Sequence, residues 1–117
     1  MKPYERLLAW QLCHELALTI YKVTHRWPDR ERYGMISQIR RAAVSAPNNI
    51  VEGYAKRGSG ELRKYLDTSL GSLSEVGYLL RLARDLGILS SDEWKVVERQ
   101  RDAAARMTWK LYQSLEV

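Results

Sequence analysis

The stretch YGMISQIRRAAVSAPNNIVEG, Tyr33 to Gly53, constrains the fold more than any other part of the chain. Its apolar residues Ile36, Ile39, Ala43, Ala46 and Ile50 recur at alternating steps of 3 and 4, the repeat of a helix packed along its length against other helices. The middle of this seam is small (Ala42, Ala43, Ser45, Ala46), so a neighbouring backbone can come close. Pro47 lies inside it, removing one backbone hydrogen bond and crowding the carbonyl of Ala43, which predicts a kink. One kinked helix over about Tyr33–Ala55 is expected, because the seam stays in register across the proline to Ile50; the competing reading is two helices with a turn at Ala46–Asn49. A polar row, Arg41, Ser45, Asn48 and Glu52, runs along the same helix beside the seam.

The remaining segments read as three more helices. The first is expected over about Tyr4–Arg26, with Pro3 in its first turn. It carries one seam of Trp10, Cys13, Ala17, Ile20, Thr24 and Trp27 and a second row of Ala9, Leu12, Leu16 and Val23. That apolar face is wider than one bundle seam needs, which hints at cover by another subunit; burial within a single chain is the alternative. Pro28 ends this helix, and Asp29 and Glu31 can start a short helical turn after it. A loop at Lys56–Gly60 leads into a third helix over about Glu61–Leu86, with Ser59 as its cap. Its seam is Leu62, Leu66, Ser69, Leu73, Val76, Leu80 and Ala83, and its narrow middle (Ser69, Gly71, Ser72, Ser74) matches the small middle of the second helix. Gly87 and Ile88 suit a glycine-ended helix stop, and Ser90 to Glu93 reads as a capping box for a fourth helix. The fourth seam, Trp94, Val97, Arg101, Ala104, Thr108, Leu111 and Leu115, includes an arginine, so either the seam drifts or Arg101 pairs with a carboxylate. The expected fold is all-α: an up-and-down antiparallel four-helix bundle in one domain spanning residues 1–117.

Composition narrows the chemistry. A chain of 117 residues holds one core. The formal net charge is +5, and 13 of the 19 basic residues are arginine, the side chain suited to bidentate pairing with phosphate or carboxylate. An anionic partner, RNA or DNA first, is one reading; a solvated helical surface interleaved with 14 acids is the other. The lone Cys13 forms no disulfide within the chain, no signal peptide is evident, and no apolar run is long enough to span a membrane, so the expectation is a cytoplasmic protein with no membrane role.

No catalytic or metal-ligating pattern stands out. His14 and His25 share a face of the first helix but lie three turns apart, about 16 Å, so they cannot bind one metal within a subunit. There is no HExxH, Glu-x-x-His or CxxC, and no phosphate-binding loop, so neither metal nor cofactor is expected. Cys13 falls on an apolar seam and reads as an inert core thiol. Glu52 and Glu75 read as partners of buried arginines such as Arg41, ordering a structural polar cluster of Arg41, Asn49, Glu52 and Glu75; an enzymatic use of these groups names no reaction. The nucleic-acid-binding candidates are Arg40, Lys56, Arg57, Arg63 and Lys64, with Tyr54 and Tyr65 among them for stacking.

The run QIRRAAVSAPNNIVEG, Gln38 to Gly53, together with the segment GELRKYLDTSLGSLSEVGYLLRLARDLG, resembles the small four-helix-bundle proteins encoded by intervening sequences in bacterial 23S ribosomal RNA genes. The likeness covers nearly the whole chain, and related bundles serve as accessory proteins in diversity-generating retroelements. It implies an up-and-down bundle, a homo-oligomeric ring with five subunits as the associated form, and nucleic-acid or ribonucleoprotein binding on basic surfaces. It carries over no catalytic residue, and Arg41, Asn49, Glu52 and Glu75 match its polar signature positions without a settled role. The expected function is a non-enzymatic nucleic-acid or ribonucleoprotein adaptor; the alternative is a protein-binding or structural assembly module with no nucleic-acid role.

Overall fold

The computed structural model describes residues 1–115. Four helices, α1 (Leu8–Thr24), α2 (Ser37–Ala55), α3 (Ser59–Asp85) and α4 (Ser91–Ser114), form an all-α bundle 44 Å long. Each packs against its chain neighbours, and α4 closes the ring of contacts on α1. One end of the bundle gathers the start of α1, the α2–α3 loop and the end of α4. The other gathers the α1–α2 connection and the turn between α3 and α4.

The seams lie inside. Ile39, Ala43, Ala46 and Ile50 of α2, Leu66, Ser69, Leu73, Val76, Leu80 and Ala83 of α3, and Cys13, Leu16 and Ile20 of α1 are all fully buried. The two small middles meet: the Ser69 hydroxyl donates to the Ala46 carbonyl at 2.8 Å and the Ser72 and Ser45 hydroxyls lie 2.8 Å apart. Gly71 and Ser74, expected in the same narrow section, are exposed and take no part. α2 continues through Pro47 as a single helix, and the Asn49 amide beyond the proline bonds the Ser45 carbonyl (2.8 Å) and hydroxyl (3.0 Å) before it.

The departure from helical geometry comes earlier, at Gly34 (φ −112°, ψ −106°), within a wide turn over Arg32–Ile36. That turn buries Met35 and Ile36 before α2 begins at Ser37. The first helix also starts later than its sequence suggests. Pro3–Arg6 form a separate short helical turn and Leu7 is extended (ψ 123°). The break lets the Tyr4 ring meet Trp10 edge-on at 5.1 Å and the Gln11 amide bond the Glu5 carbonyl at 2.8 Å. After Pro28 a short turn forms over Asp29–Glu31, as its acids suggest.

Ser59 is the first residue of α3 rather than its cap; Gly58 precedes it at φ 89° and offers no side chain. The stop of α3 follows the glycine motif, with Gly87 at φ 75°, its N–H on the Arg84 carbonyl (3.0 Å) and the Ile88 N–H on the Ala83 carbonyl (2.9 Å). Ser90 caps α4 by accepting from the Glu93 N–H at 3.1 Å, while the Glu93 carboxylate turns away to pair with Arg26. Arg101 on the fourth seam is neutralised by both oxygens of Glu98, at 2.7 Å each. Its stem lies flat against Gly77, where a β-carbon would stand 2.9 Å from Arg101 Nε.

Candidate nucleic-acid interface

At the α2–α3 end the chain reverses over Lys56, Arg57 and Gly58, the extended Lys56 and the positive φ of Gly58 making the turn. Lys56, Arg57 and Lys64 project into solvent. Lys64 pairs with Glu61 at 3.3 Å, and the Lys56 ammonium stands 5.8 Å from the Tyr65 ring. Arg57 makes no ion pair among the described residues.

Arg63 is half-buried and crosses to α4, its guanidinium 4.1 Å over the Tyr112 ring. Its Nε is shielded from solvent with no hydrogen-bond partner among the described residues, beside a cleft of about 290 Å³ lined by Gly60, Arg63, Lys64, Asp67 and Tyr112. A buried donor left unpaired costs free energy.

Arg40 belongs elsewhere. Its Nε donates to Thr24 Oγ1 at 2.8 Å, its Nη2 to the Tyr21 carbonyl at 3.3 Å, and its guanidinium lies 4.5 Å over the Tyr21 ring. It ties α2 to α1 toward the opposite end and is removed from the group formed by Lys56, Arg57, Arg63 and Lys64. The polar row, expected as a buried cluster, lies at the surface. Arg41, Glu52 and Glu75 are exposed and Asn49 half-buried, so the row is not a buried network. Arg41 reaches only Ser37 (3.4 Å), Glu52 accepts from Asn48 (3.1 Å), Glu75 from Gln38 (3.3 Å), and Asn49 bonds within α2. Arg41 and Glu75 do border one cleft of about 430 Å³ between α2 and α3, but no ion pair joins them. The reason is geometric: the row lies beside the seam at the outer edge of the α2–α3 contact, where solvent reaches it.

Residues that the sequence did not single out complete the basic end. Trp109, 49% exposed, stacks on Tyr112 with ring centres 5.4 Å apart and planes within 15°. Lys110, between them in sequence, faces another cleft, lined by Leu7, Leu8, Ala9, Met107 and Leu111 on the α1 side. The signal was an aromatic pair one turn apart, but only the antiparallel fold brings it to the α2–α3 loop. The far end differs in its charge pairing: Arg26–Glu93, Arg32–Asp29, Arg81–Asp85 and Arg84–Asp85 are ion pairs there. The hydrogen bond from Arg84, with help from Arg81, lowers the Asp85 carboxyl below its ordinary value.

No cluster of three or more His, Cys, Asp or Glu side chains suited to a metal occurs among the described residues. His14 is stacked on Trp10 at 4.8 Å. Cys13 is fully buried against Thr108 (3.6 Å), and burial pushes its thiol up to about 11, away from reactivity. No helix among the described residues is long and apolar enough to cross a membrane.

The family model of the 23S rRNA-intervening sequence protein matches residues 5–110. Among solved structures, the crystal structure of a protein of unknown function from the S23 ribosomal protein family of Bacteroides thetaiotaomicron superposes with a TM-score of 0.81 at 17% sequence identity. The superposition covers 91% of this chain and 99% of that one, a likeness of fold. No curated protein matches the chain.

Proposed function

The chain belongs to the 23S rRNA-intervening sequence protein family, and from that premise we propose that it is a small oligomeric adaptor that binds nucleic acid or a ribonucleoprotein through one end of its bundle. The observation that carries this reading is the grouping of cations without ion pairs at the α2–α3 end. At the far end Arg26, Arg32, Arg81 and Arg84 are held in ion pairs while Arg30 and Arg40 are not; at the near end Lys64 pairs with Glu61, and Lys56, Arg57 and Arg63 lie together with no ion pair among the described residues. Cations without local partners are those that gain most from phosphate, through charge and counterion release. The role is non-enzymatic, needs no cofactor, and belongs in the cytoplasm. Copies of the chain assemble as a ring, five being the form the family suggests, which repeats the basic end around one rim.

Anisotropy of labelled RNA and DNA titrated with the protein across a salt series tests this. Affinity that falls steeply with salt is expected; absence of binding at low salt overturns it. Light scattering with native mass spectrometry tests the ring, and a stable monomer removes it.

A second reading, a protein-binding or assembly module without nucleic acid, is favoured by one observation. Leu18, Tyr21 and Val44 stand exposed along the α1–α2 face, Leu18 and Val44 each about one turn from the Tyr21–Arg40 contact. The wide face of α1 is otherwise absorbed inside the chain, with Leu16 fully buried and Leu12 half-buried. Charged substitutions at Leu18 and Val44 are therefore the ones that separate assembly from folding.

A further inference from the structure

We propose that the basic end takes unpaired nucleotides: a single strand whose bases stack on Trp109 and whose phosphates run along Lys64 and the α2–α3 loop cations Lys56 and Arg57. This inference rests on the nucleic-acid reading above and specifies the strand.

The aromatic pair carries it. Trp109 leaves about half of its surface in solvent, 49%. The ring is set in place rather than loose: it lies nearly parallel to Tyr112, which is half-buried and held in turn by the Arg63 guanidinium. An exposed aromatic ring held in one orientation offers a stacking platform for any base, and stacking of this kind does not depend on sequence. A duplex cannot use it along its length, because its base faces are already covered by their neighbours. Only a strand with open bases gains from Trp109, while both forms gain from the lysines and arginines. A cleft of about 290 Å³ lined by Gly60, Arg63, Lys64, Asp67 and Tyr112 lies next to the platform. Lys56 near Tyr65 and the exposed Tyr54 repeat the pairing of cation and ring on the α2 side of the same end.

The test compares a labelled oligonucleotide of about 15 nucleotides, single-stranded and as its duplex, in RNA and DNA forms, by anisotropy at fixed low salt. The wild-type protein is expected to bind the single strand tighter than the duplex. Trp109→Ala is expected to weaken single-strand binding roughly 5- to 100-fold while leaving the duplex within about twofold, and Trp109→Phe to restore most of the loss. Circular dichroism melts establish that each variant is folded. A duplex bound as tightly as the single strand, or equal single-strand affinity in wild type and Trp109→Ala, overturns the inference while leaving an electrostatic adaptor standing. If no form binds even at low salt, the adaptor reading fails and this inference falls with it. The RNA and DNA arms decide which sugar the strand carries.

Discussion

Gly53 lies directly beneath Tyr65: a β-carbon built on Gly53 would stand 2.6 Å from the Tyr65 β-carbon and 3.0 Å from Leu62 Cδ1. The contact joins the last turns of α2 to the first turns of α3, just inside the basic end. Because the opposing atom sits next to the Tyr65 backbone, it cannot swing aside. Alanine at position 53 would gain about 1 kcal/mol of helix propensity, yet it must push two helices apart. We predict that Gly53→Ala lowers stability by about 1–3 kcal/mol in urea unfolding. A variant as stable as wild type would mean the helices separate there at little cost.

Arg40 and Glu52 are predicted to behave oppositely on truncation. Arg40→Ala removes two hydrogen bonds and a ring contact between α1 and α2. It is expected to cost about 1–2 kcal/mol and to leave nucleic-acid affinity unchanged. Glu52→Ala removes only an exposed contact with Asn48, so its effect should stay within about 0.5 kcal/mol. Thermal melts of the two variants side by side check both; a large loss at Glu52 would restore the buried-network reading.

The combined Lys56→Ala, Arg57→Ala and Lys64→Ala variant tests the cations with little risk to the fold, since all three are exposed. Binding is expected to weaken and the slope of log affinity against log salt to shrink by roughly 2–3, close to one phosphate contact per side chain. An unchanged slope would place the phosphate contacts elsewhere on the bundle.

Cys13 makes stability depend on pH in the alkaline range. The unfolded thiol loses its proton near 9.0, the buried one near 11. Between these values the folded chain holds the extra proton, so stability is full below pH 9 and falls as pH rises toward 11. The loss attributable to this group is about 1–3 kcal/mol. The informative quantity is the difference between wild type and Cys13→Ala, which should lack this part of the decline. Identical pH profiles would show that the thiol is not the cause.

Much of the architecture was legible because periodicity reports which residues share a face. The seams of α2 and α3 lie inside as their spacing suggests, and so does the glycine stop at Gly87. What periodicity does not report is how far round each helix its neighbours extend. Arg41, Glu52 and Glu75 lie next to a seam and read as buried, whereas the α2–α3 contact ends just short of them. Ser59 looked like a cap because its chemistry suits one, but the positive φ at Gly58 starts the helix a residue earlier than that reading allows. At the basic end, Lys56, Arg57, Arg63 and Lys64 were visible as a local charge cluster. Tyr112 and Trp109 were not, since they join the group only through the antiparallel return of α4, some 45 residues further along the chain. Arg40 was misplaced for the converse reason: an arginine's role follows from what it touches, and Tyr21 and Thr24 come from another helix.

The two ends of the bundle lie up to 44 Å apart, while electrostatic influence in physiological salt decays over about 8 Å. An approaching polyanion therefore does not sense the formal charge of +5. It senses whichever end it meets. At the end where Arg26, Arg32, Arg81 and Arg84 are ion-paired, the field is short and mixed; at the other, Lys56, Arg57, Arg63 and Lys64 outnumber Glu61 and Asp67 and leave it net positive. The molecule behaves in such encounters as a rod with a head and a tail, turned by torque before contact, so that which way round it arrives is settled in solution.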